Sequence, residues 1–260
     1  MCRNCARCSF VTNNKDINMK LKDNTILITG GTSGIGLELG RALLVLRNTV
    51  ILLGRNREKL RLLRAEGFET LACDLGEPSE VEQATVALQN RFPELNVVFN
   101  NAGVQYNYLF TEAIVAPDRI ARELQVNLSG QLQLTQLLIP QLMAQPKAYI
   151  VNTTSGLGAF PKSDALTYSA SKAGLRNFTT GLRYALKASN IRVMELIPPV
   201  TDTGMTRGRE EEKMPADRFV ARILPQLRKE RRILTVPKMR FFLWISFLFP
   251  GLAFRILDNP

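Results

Sequence analysis

Six short apolar runs recur along the chain, at residues 25–29, 49–53, 69–73, 96–100, 147–153 and 191–197, with helix-forming stretches between them. Each run is rich in Val, Ile and Leu and too short for a buried helix, so each reads as a parallel strand covered on both faces. The stretches between them, roughly 34–47, 56–66, 78–91, 117–144 and 166–188, read as helices. Strand–helix alternation of this kind implies one parallel sheet with helices on both sides. The expected fold is therefore α/β, a doubly wound parallel sheet of Rossmann type in three α/β/α layers. At 260 residues and 45% apolar content the chain has enough material for one such domain.

In an open parallel sheet, ligands bind beyond the carboxyl ends of the strands, so the residues that close each run matter most. The first run ends in Thr29-Gly30-Gly31-Thr32-Ser33-Gly34-Ile35-Gly36. Glycines at a strand-to-helix turn let a pyrophosphate approach the backbone N–H groups of a helix N-terminus. Gly30, Thr32, Ser33, Gly34, Ile35 and Gly36 are thus candidate nucleotide contacts. The second run closes with Gly54-Arg55-Asn56-Arg57 and carries no acid at its tip. An acid there favours NAD(H) through the ribose hydroxyl, whereas an Arg accommodates a 2′-phosphate. Arg55 therefore points to NADP(H) over NAD(H); the alternative is that Arg55 and Arg57 simply begin a solvated helix. Asp74 and Leu75 close the third run. Asp74 can accept from an adenine amino group, or it can cap the following helix. Asn101, Ala102 and Gly103 follow the fourth run and are small enough for the backbone to pass close to a cofactor. Asn127 is a polar residue inside an amphipathic stretch, where Asn is a poor helix former; it is either functional or a buried, satisfied amide.

The chain contains no histidine. Proton chemistry near neutral pH must then use a group whose pKa has been moved. Tyr168 and Lys172 are four apart in Tyr-Ser-Ala-Ser-Lys, and an i,i+4 helical spacing places an ammonium on the same face as a phenol. That charge is expected to lower the tyrosine pKa from its ordinary value of about 10. Ser155 lies thirteen residues earlier, after the fifth run.

Taken in order, TGxxxGIG, Asp74, Asn100-Asn101-Ala102-Gly103, Asn127, Ser155 and YxxxK resemble the short-chain dehydrogenase/reductase superfamily in its short form, over about residues 22–204. Within it, Tyr-Ser-Ala-Ser-Lys-Ala-Gly-Leu and the Pro-Pro before Asp202-Thr203 resemble a bacterial group of oxidoreductases sometimes encoded beside teichoic-acid D-alanylation genes. The resemblance implies that Tyr168 is the acid/base, that Lys172 lowers its pKa and holds the nicotinamide ribose, and that Ser155 polarises the substrate carbonyl. It implies that Asn127 holds a water linking Lys172 to solvent, and that Pro198 and Thr203 lie beside the nicotinamide. One position departs from the family pattern: Pro199 stands where Gly is usual, and Pro forbids the φ > 0 that Gly permits. The loop path after Pro198 is therefore open.

Three segments flank or interrupt the catalytic region. Residues 1–20 read as an N-terminal appendage, with Met19 a possible physiological start. Their Cys2-x-x-Cys5-x-x-Cys8 has metal-like spacing but lacks a fourth ligand, so no metal site is expected. With Cys73 these are the four cysteines, and they provide no disulfide framework across the body, which suits a reducing, cytoplasmic location. Residues 21–238 form the NADP(H)-binding catalytic domain, with a mobile substrate segment at 199–232 that includes a helix from about 215 to 230. Residues 239–260 form a hydrophobic tail, in which Phe241 to Phe254 is fourteen residues without a charge.

The formal net charge of +11 sits mainly at the two ends, outside the motif-bearing segment, which argues against nucleic acid as a partner. The tail is too short to span a bilayer. It either contacts a membrane surface peripherally through 239–254 or packs on a subunit or over the cleft. A homodimer or homotetramer is expected, because helices 117–144 and 166–188 present faces the sheet cannot cover. The expected activity is hydride transfer between NADP(H) and a carbonyl or secondary alcohol of hydrophobic character. The competing reading is an NADP(H)-binding sensor or scaffold without turnover; keeping Ser155, Tyr168, Lys172 and Asn127 together argues against it.

Overall fold

The computed structural model describes residues 18–112, 114 and 116–258. Cys2, Cys5 and Cys8, with most of segment 1–20, lie outside the described residues. The six expected strands are β1 (Thr25–Thr29), β2 (Thr49–Gly54), β3 (Glu69–Ala72), β4 (Leu95–Asn100), β5 (Ala148–Thr153) and β6 (Ile191–Leu196). Three two-residue strands follow: β7 (Thr201–Asp202), β8 (Met214–Pro215) and β9 (Ile233–Leu234). The main sheet is parallel throughout, in the order β3-β2-β1-β4-β5-β6-β9. β9 is too short to carry a periodic signal and is held by its pairing to β6.

The strand order reverses between β1 and β4, and a crevice opens there beyond the carboxyl ends. The apolar runs are buried on both faces for the reason the sequence suggests. Ile26 and Ile28 of β1 point into one layer, with Leu39 and Leu43 of α1 (Gly34–Val45), Leu60 and Leu63 of α2 (Arg57–Ala65) and Phe219 and Ile223 of α7 (Ala216–Arg228). Leu27, between them, points into the other, with Val81 and Leu88 of α3 (Pro78–Arg91), Leu134 and Leu138 of α5 (Gly130–Met143) and Leu182 of α6 (Leu166–Ala185). Fully burying each such side chain stabilises the fold by about 1.5–3 kcal/mol relative to exposure.

The stretch 117–144, expected as one helix, is divided. α4 (Pro117–Leu124) leads into a π turn at Gln125–Ser129, and α5 follows. Gly130 marks the reason, because a β-carbon there would lie 2.1 Å from the Leu75 carbonyl oxygen. The helix is pressed against the loop after β3, and the extra residue of the π turn re-aims it. Met19 is 2% exposed and its N–H bonds the Arg228 carbonyl at 2.9 Å, so the folded body reaches back to residue 19, short of the expected limit at 20. Beyond β9 the tail is a helical hairpin, α8 (Pro237–Leu248) and α9 (Pro250–Asp258). Pro250 separates the two helices, and neither is long and apolar enough to cross a membrane.

Candidate active site

The crevice is a cavity of about 1180 Å³, and it gathers most of the candidates. Gly30, Thr32, Ser33, Gly34, Ile35, Arg55, Asp74, Leu75, Asn101, Ala102, Gly103, Pro198 and Thr203 line one continuous wall, together with Ser155, Tyr168 and Lys172. Gly36 and Asn127 sit just behind it. Gly30 has φ +64°, and a β-carbon on it would lie 2.7 Å from the Ala102 Cα. Only Gly fits that turn without strain. α1 begins after Ser33, and no side chain among the described residues caps its first N–H groups. Those donors open into the cavity, which is the arrangement a phosphate needs. The buried Thr29 hydroxyl fixes the opposite wall by accepting the N–H groups of Asn101 and Ala102 at 2.9 and 3.0 Å. Gln131, which the sequence reading passed over, holds the same segment by donating to the Ala102 carbonyl at 2.6 Å. The residues present therefore fit a dinucleotide.

Arg55 closes β2 at the cavity edge, more than half exposed and 3.9 Å from Asp74 Oδ2. Asp74 is more heavily engaged than expected. Its Oδ1 accepts from the Gly76 N–H at 2.8 Å, and its Oδ2 pairs with Arg122 of α4. An adenine amino group would have to share Oδ2 with that guanidinium. Glu77, not Asp74, is the N-cap of α3.

Ser155 follows β5, and Tyr168 and Lys172 stand one turn apart on α6. The Ser155 hydroxyl accepts from the Leu157 N–H at 3.1 Å, and it acts on the Tyr168 phenol, lowering its pKa. Glu195 of β6 holds this loop from below by accepting from Thr154 Oγ1 at 2.7 Å. Lys172 donates to the Thr153 carbonyl at 2.9 Å, and its ammonium lies 5.8 Å from the Tyr168 ring centre. Asn127, in the π turn, is a clamp. It accepts the Val104 N–H and donates to the Val104 carbonyl, both at 2.8 Å, and donates to Ser171 Oγ at 3.2 Å. Any water between it and Lys172 would have to share its one side-chain oxygen.

The electrostatics differ from the spacing argument. Burial pushes the Tyr168 phenol up to about 12, and the Ser155 hydrogen bond and the nearby charge of Arg209 offset only part of this. Burial also lowers the Lys172 amine to about 8. The i,i+4 rule supplies the right face but not the depth, and at this depth desolvation is the largest influence on each group. The resting proton therefore sits on the phenol. Two charged side chains missed in the sequence act on it. Arg209 comes from the segment after β7 and donates to Asn107 Oδ1 at 3.2 Å. Glu123 of α4 is fully buried, accepts only the Tyr106 N–H at 3.2 Å among the described residues, and is raised above the usual carboxylate range by burial. Neither has a sequence signature, since both are charged residues in polar stretches.

Past Pro198 the chain has an extended path of its own. Thr201 Oγ1 donates to the Pro199 carbonyl at 2.8 Å, β7 pairs with β8, and Thr203 comes to rest against Gly34. Pro199 is absent from the positive-φ residues, so the loop needs no glycine there. Met205, Met214, Met239, Phe242 and Leu257 add apolar lining, the last three from the α8–α9 hairpin, and share the cavity with the charged Arg209, Lys213, Arg218, Arg222 and Lys238. Met239 and Phe242 come close to Gly156, beside Ser155.

A Rossmann sheet, a glycine turn at a bare helix N-terminus and a Ser–Tyr–Lys cluster define a nicotinamide-dependent oxidoreductase. The short chain dehydrogenase family model matches residues 24–214, and the chain belongs to that family. It is 38% identical over 191 residues to the uncharacterized oxidoreductase DltE of Bacillus subtilis (strain 168), covering 73% of this chain and 76% of that protein. A short chain dehydrogenase from Burkholderia cenocepacia J2315 in complex with NADP superposes with TM-score 0.83 at 23% identity, over 93% of this chain and 100% of that one. A short chain dehydrogenase/reductase from Burkholderia phymatum in complex with NAD gives 0.77 at 21%, over 93% and 98%.

Proposed function

We propose that the chain is an NADP(H)-dependent carbonyl reductase acting on a hydrophobic ketone, or on the corresponding secondary alcohol in reverse, with Tyr168 as the proton donor and acceptor. The observation that carries this reading is the continuity of one cavity, which holds the glycine turn, Arg55, Ser155 and Tyr168 together with the apolar Met239 and Phe242 beside Gly156. NADP(H) is favoured over NAD(H) because a guanidinium and no acid stands at the tip of β2.

When bound, the nicotinamide supplies or accepts the hydride. The rest is the work of the chain. Ser155 orients the carbonyl oxygen and stabilises the negative charge that grows on it, and Tyr168 donates the proton to that oxygen. Because burial keeps the phenol protonated, carbonyl reduction meets the donor in its resting form. Alcohol oxidation requires the phenolate, which needs added positive charge nearby. Lys172, held on the Thr153 carbonyl, supplies one such charge below its own pKa. Glu195 and Asn127 act as positioning residues, one through Thr154 and the other through Val104 and Ser171. A homodimer or homotetramer through the outer faces of α5 and α6 belongs to the same proposal; Met143, Leu166 and Tyr184 stay exposed there.

The test is a panel of apolar ketones followed by loss of NADPH absorbance, with the full chain and Tyr168→Phe. The substitution should lower kcat by about 10²–10⁴ while NADPH still binds, as general acid catalysis of this kind contributes. Turnover that survives it would remove Tyr168 from the mechanism.

A further inference from the structure

α8 is apolar almost throughout, yet none of its residues is buried. A helix of that composition is ordinarily covered by protein or lipid. Phe241, Trp244, Phe247, Leu248 and Phe249 are each more than half exposed, and Leu252 and Ile256 continue the surface onto α9. Exposed patches of this kind mark sites of association. The segment 231–257 contains five basic residues and no acid. At the foot of the hairpin, Lys229, Arg231 and Arg240 share a groove of about 190 Å³ with Pro225, Gln226 and Pro237. No acidic residue lines that groove, and none of its three cations is ion-paired among the described residues. Arg240 and Trp244 are four apart on α8 and share a face, so the cations and the aromatic surface adjoin.

We propose that the α8–α9 hairpin docks on the surface of a bilayer containing anionic lipid, with Phe241, Trp244 and Phe247 at the headgroup–acyl boundary and Lys229, Arg231 and Arg240 against lipid phosphates. Twelve residues of α8 rise about 18 Å, well short of a hydrocarbon core of about 30 Å, so the hairpin lies in the interface and does not cross it. Aromatic side chains beside Lys and Arg suit that depth. A second copy of the chain is a poorer occupant. A two-fold contact places a patch against itself, which would set these cations against their own copies with no acid between them. Lys238 at the start of α8 pairs with Glu212 at 3.3 Å, but both are almost fully exposed and such a pair holds little energy against a charged membrane. The inner side of the same hairpin, through Met239, Phe242 and Leu257, lines the cleft. On the function proposed above, docking would bring this wall of the cleft to the lipid and admit an amphiphilic carbonyl from it; the docking itself does not depend on that function.

Trp244 is the chain's single tryptophan and reports on its own surroundings. The full chain is mixed with phosphatidylcholine vesicles with and without phosphatidylglycerol, and Trp emission and vesicle flotation are read together. The expected result is a blue shift and flotation with the anionic vesicles only, both weakened by salt. Lys229→Gln/Arg231→Gln/Arg240→Gln should lower the partition coefficient on the order of a hundred-fold, at roughly five-fold per cation. Phe241→Ser/Phe247→Ser keeps the reporter and should lower partition at least about ten-fold through lost apolar burial. No shift with either vesicle overturns the proposal, as does equal binding to neutral vesicles. A blue shift that grows with protein concentration in lipid-free buffer overturns it in favour of a second copy. NADPH binding by each variant shows that the fold is retained.

Discussion

Lys172→Met should make the protein more stable while removing its activity. Lys172 is 3% exposed and forms no ion pair among the described residues; its ammonium has the Thr153 carbonyl as its hydrogen-bond partner at 2.9 Å. Burial lowers its pKa from 10.5 to about 8. The sign follows from proton counts. Between pH 8 and 10.5 the unfolded chain holds more protons than the folded one, so stability rises with pH across that window. Below pH 8 both states are protonated and the full burden of the buried charge is present. A depression of this size corresponds to about 3 kcal/mol at neutral pH, of which about 2 kcal/mol is recovered by pH 10.

Methionine has a similar reach and no charge, but it leaves the Thr153 carbonyl without its donor, which costs about 1 kcal/mol. The variant should therefore be about 2 kcal/mol more stable at pH 7, or roughly 4–8 °C in Tm for a domain of this size. Its advantage should shrink steadily towards pH 10. Parallel denaturant titrations of both proteins from pH 7 to pH 10 read the difference, and common titrations elsewhere cancel. A variant less stable than the parent at pH 7, or a gap that does not change with pH, would refute the claim that this lysine is held charged against its own burial. NADPH-dependent ketone reduction by the variant should fall at least about a hundred-fold, as loss of a positioned electrostatic group does.

Arg55→Asp should shift the ratio of kcat/KM for NADPH over NADH towards NADH by about ten-fold or more, the value of one charge-assisted hydrogen bond to a phosphate. An unchanged ratio would leave Arg55 without a cofactor role. Gly130→Ala should destabilise the protein by about 1–3 kcal/mol in thermal unfolding, although alanine is the better helix former by about 1 kcal/mol, because the new methyl would meet the Leu75 carbonyl at 2.1 Å. A raised Tm would show that the helix is free to move away from the loop after β3.

The parallel sheet was legible because its signal is local. Runs such as Thr25–Thr29 and Ala148–Thr153 are buried at every position and mostly apolar, and the glycine turn after β1 follows directly from the first of them. β9 was not legible, since two residues have no period and Ile233–Leu234 becomes a strand only beside β6. The π turn at Gln125–Ser129 was hidden for a related reason. Nothing in Gln-Val-Asn-Leu-Ser breaks a helix, and the cause lies fifty residues away at Leu75. The tail divided along a line that composition blurs. Its apolar residues read as one patch, yet Met239, Phe242 and Leu257 turn to the cleft while Trp244 and Phe247 turn to solvent.

The site separates what spacing determines from what depth determines. Tyr168, Lys172 and Ser155 come together as their order suggests, since the i,i+4 step and the strand end fix their directions. Their protonation does not follow from direction. An ammonium 5.8 Å from a phenol ring would favour the phenolate near the surface, but both groups are buried and lost hydration is the largest influence on each. That depth is set by residues far from the motif, among them Glu123, whose buried carboxyl raises the phenol further, and Arg209, whose charge lowers it. Arg209 sits between the positive-φ Gly208 and the acidic run Glu210 to Glu212, on the segment that also frames the cleft mouth. A movement of that segment towards Tyr168 would bring its guanidinium closer and favour the phenolate, and a movement away would keep the proton in place. The acidity of the phenol is therefore set first by its depth, and then by Ser155 and by the chain after β7.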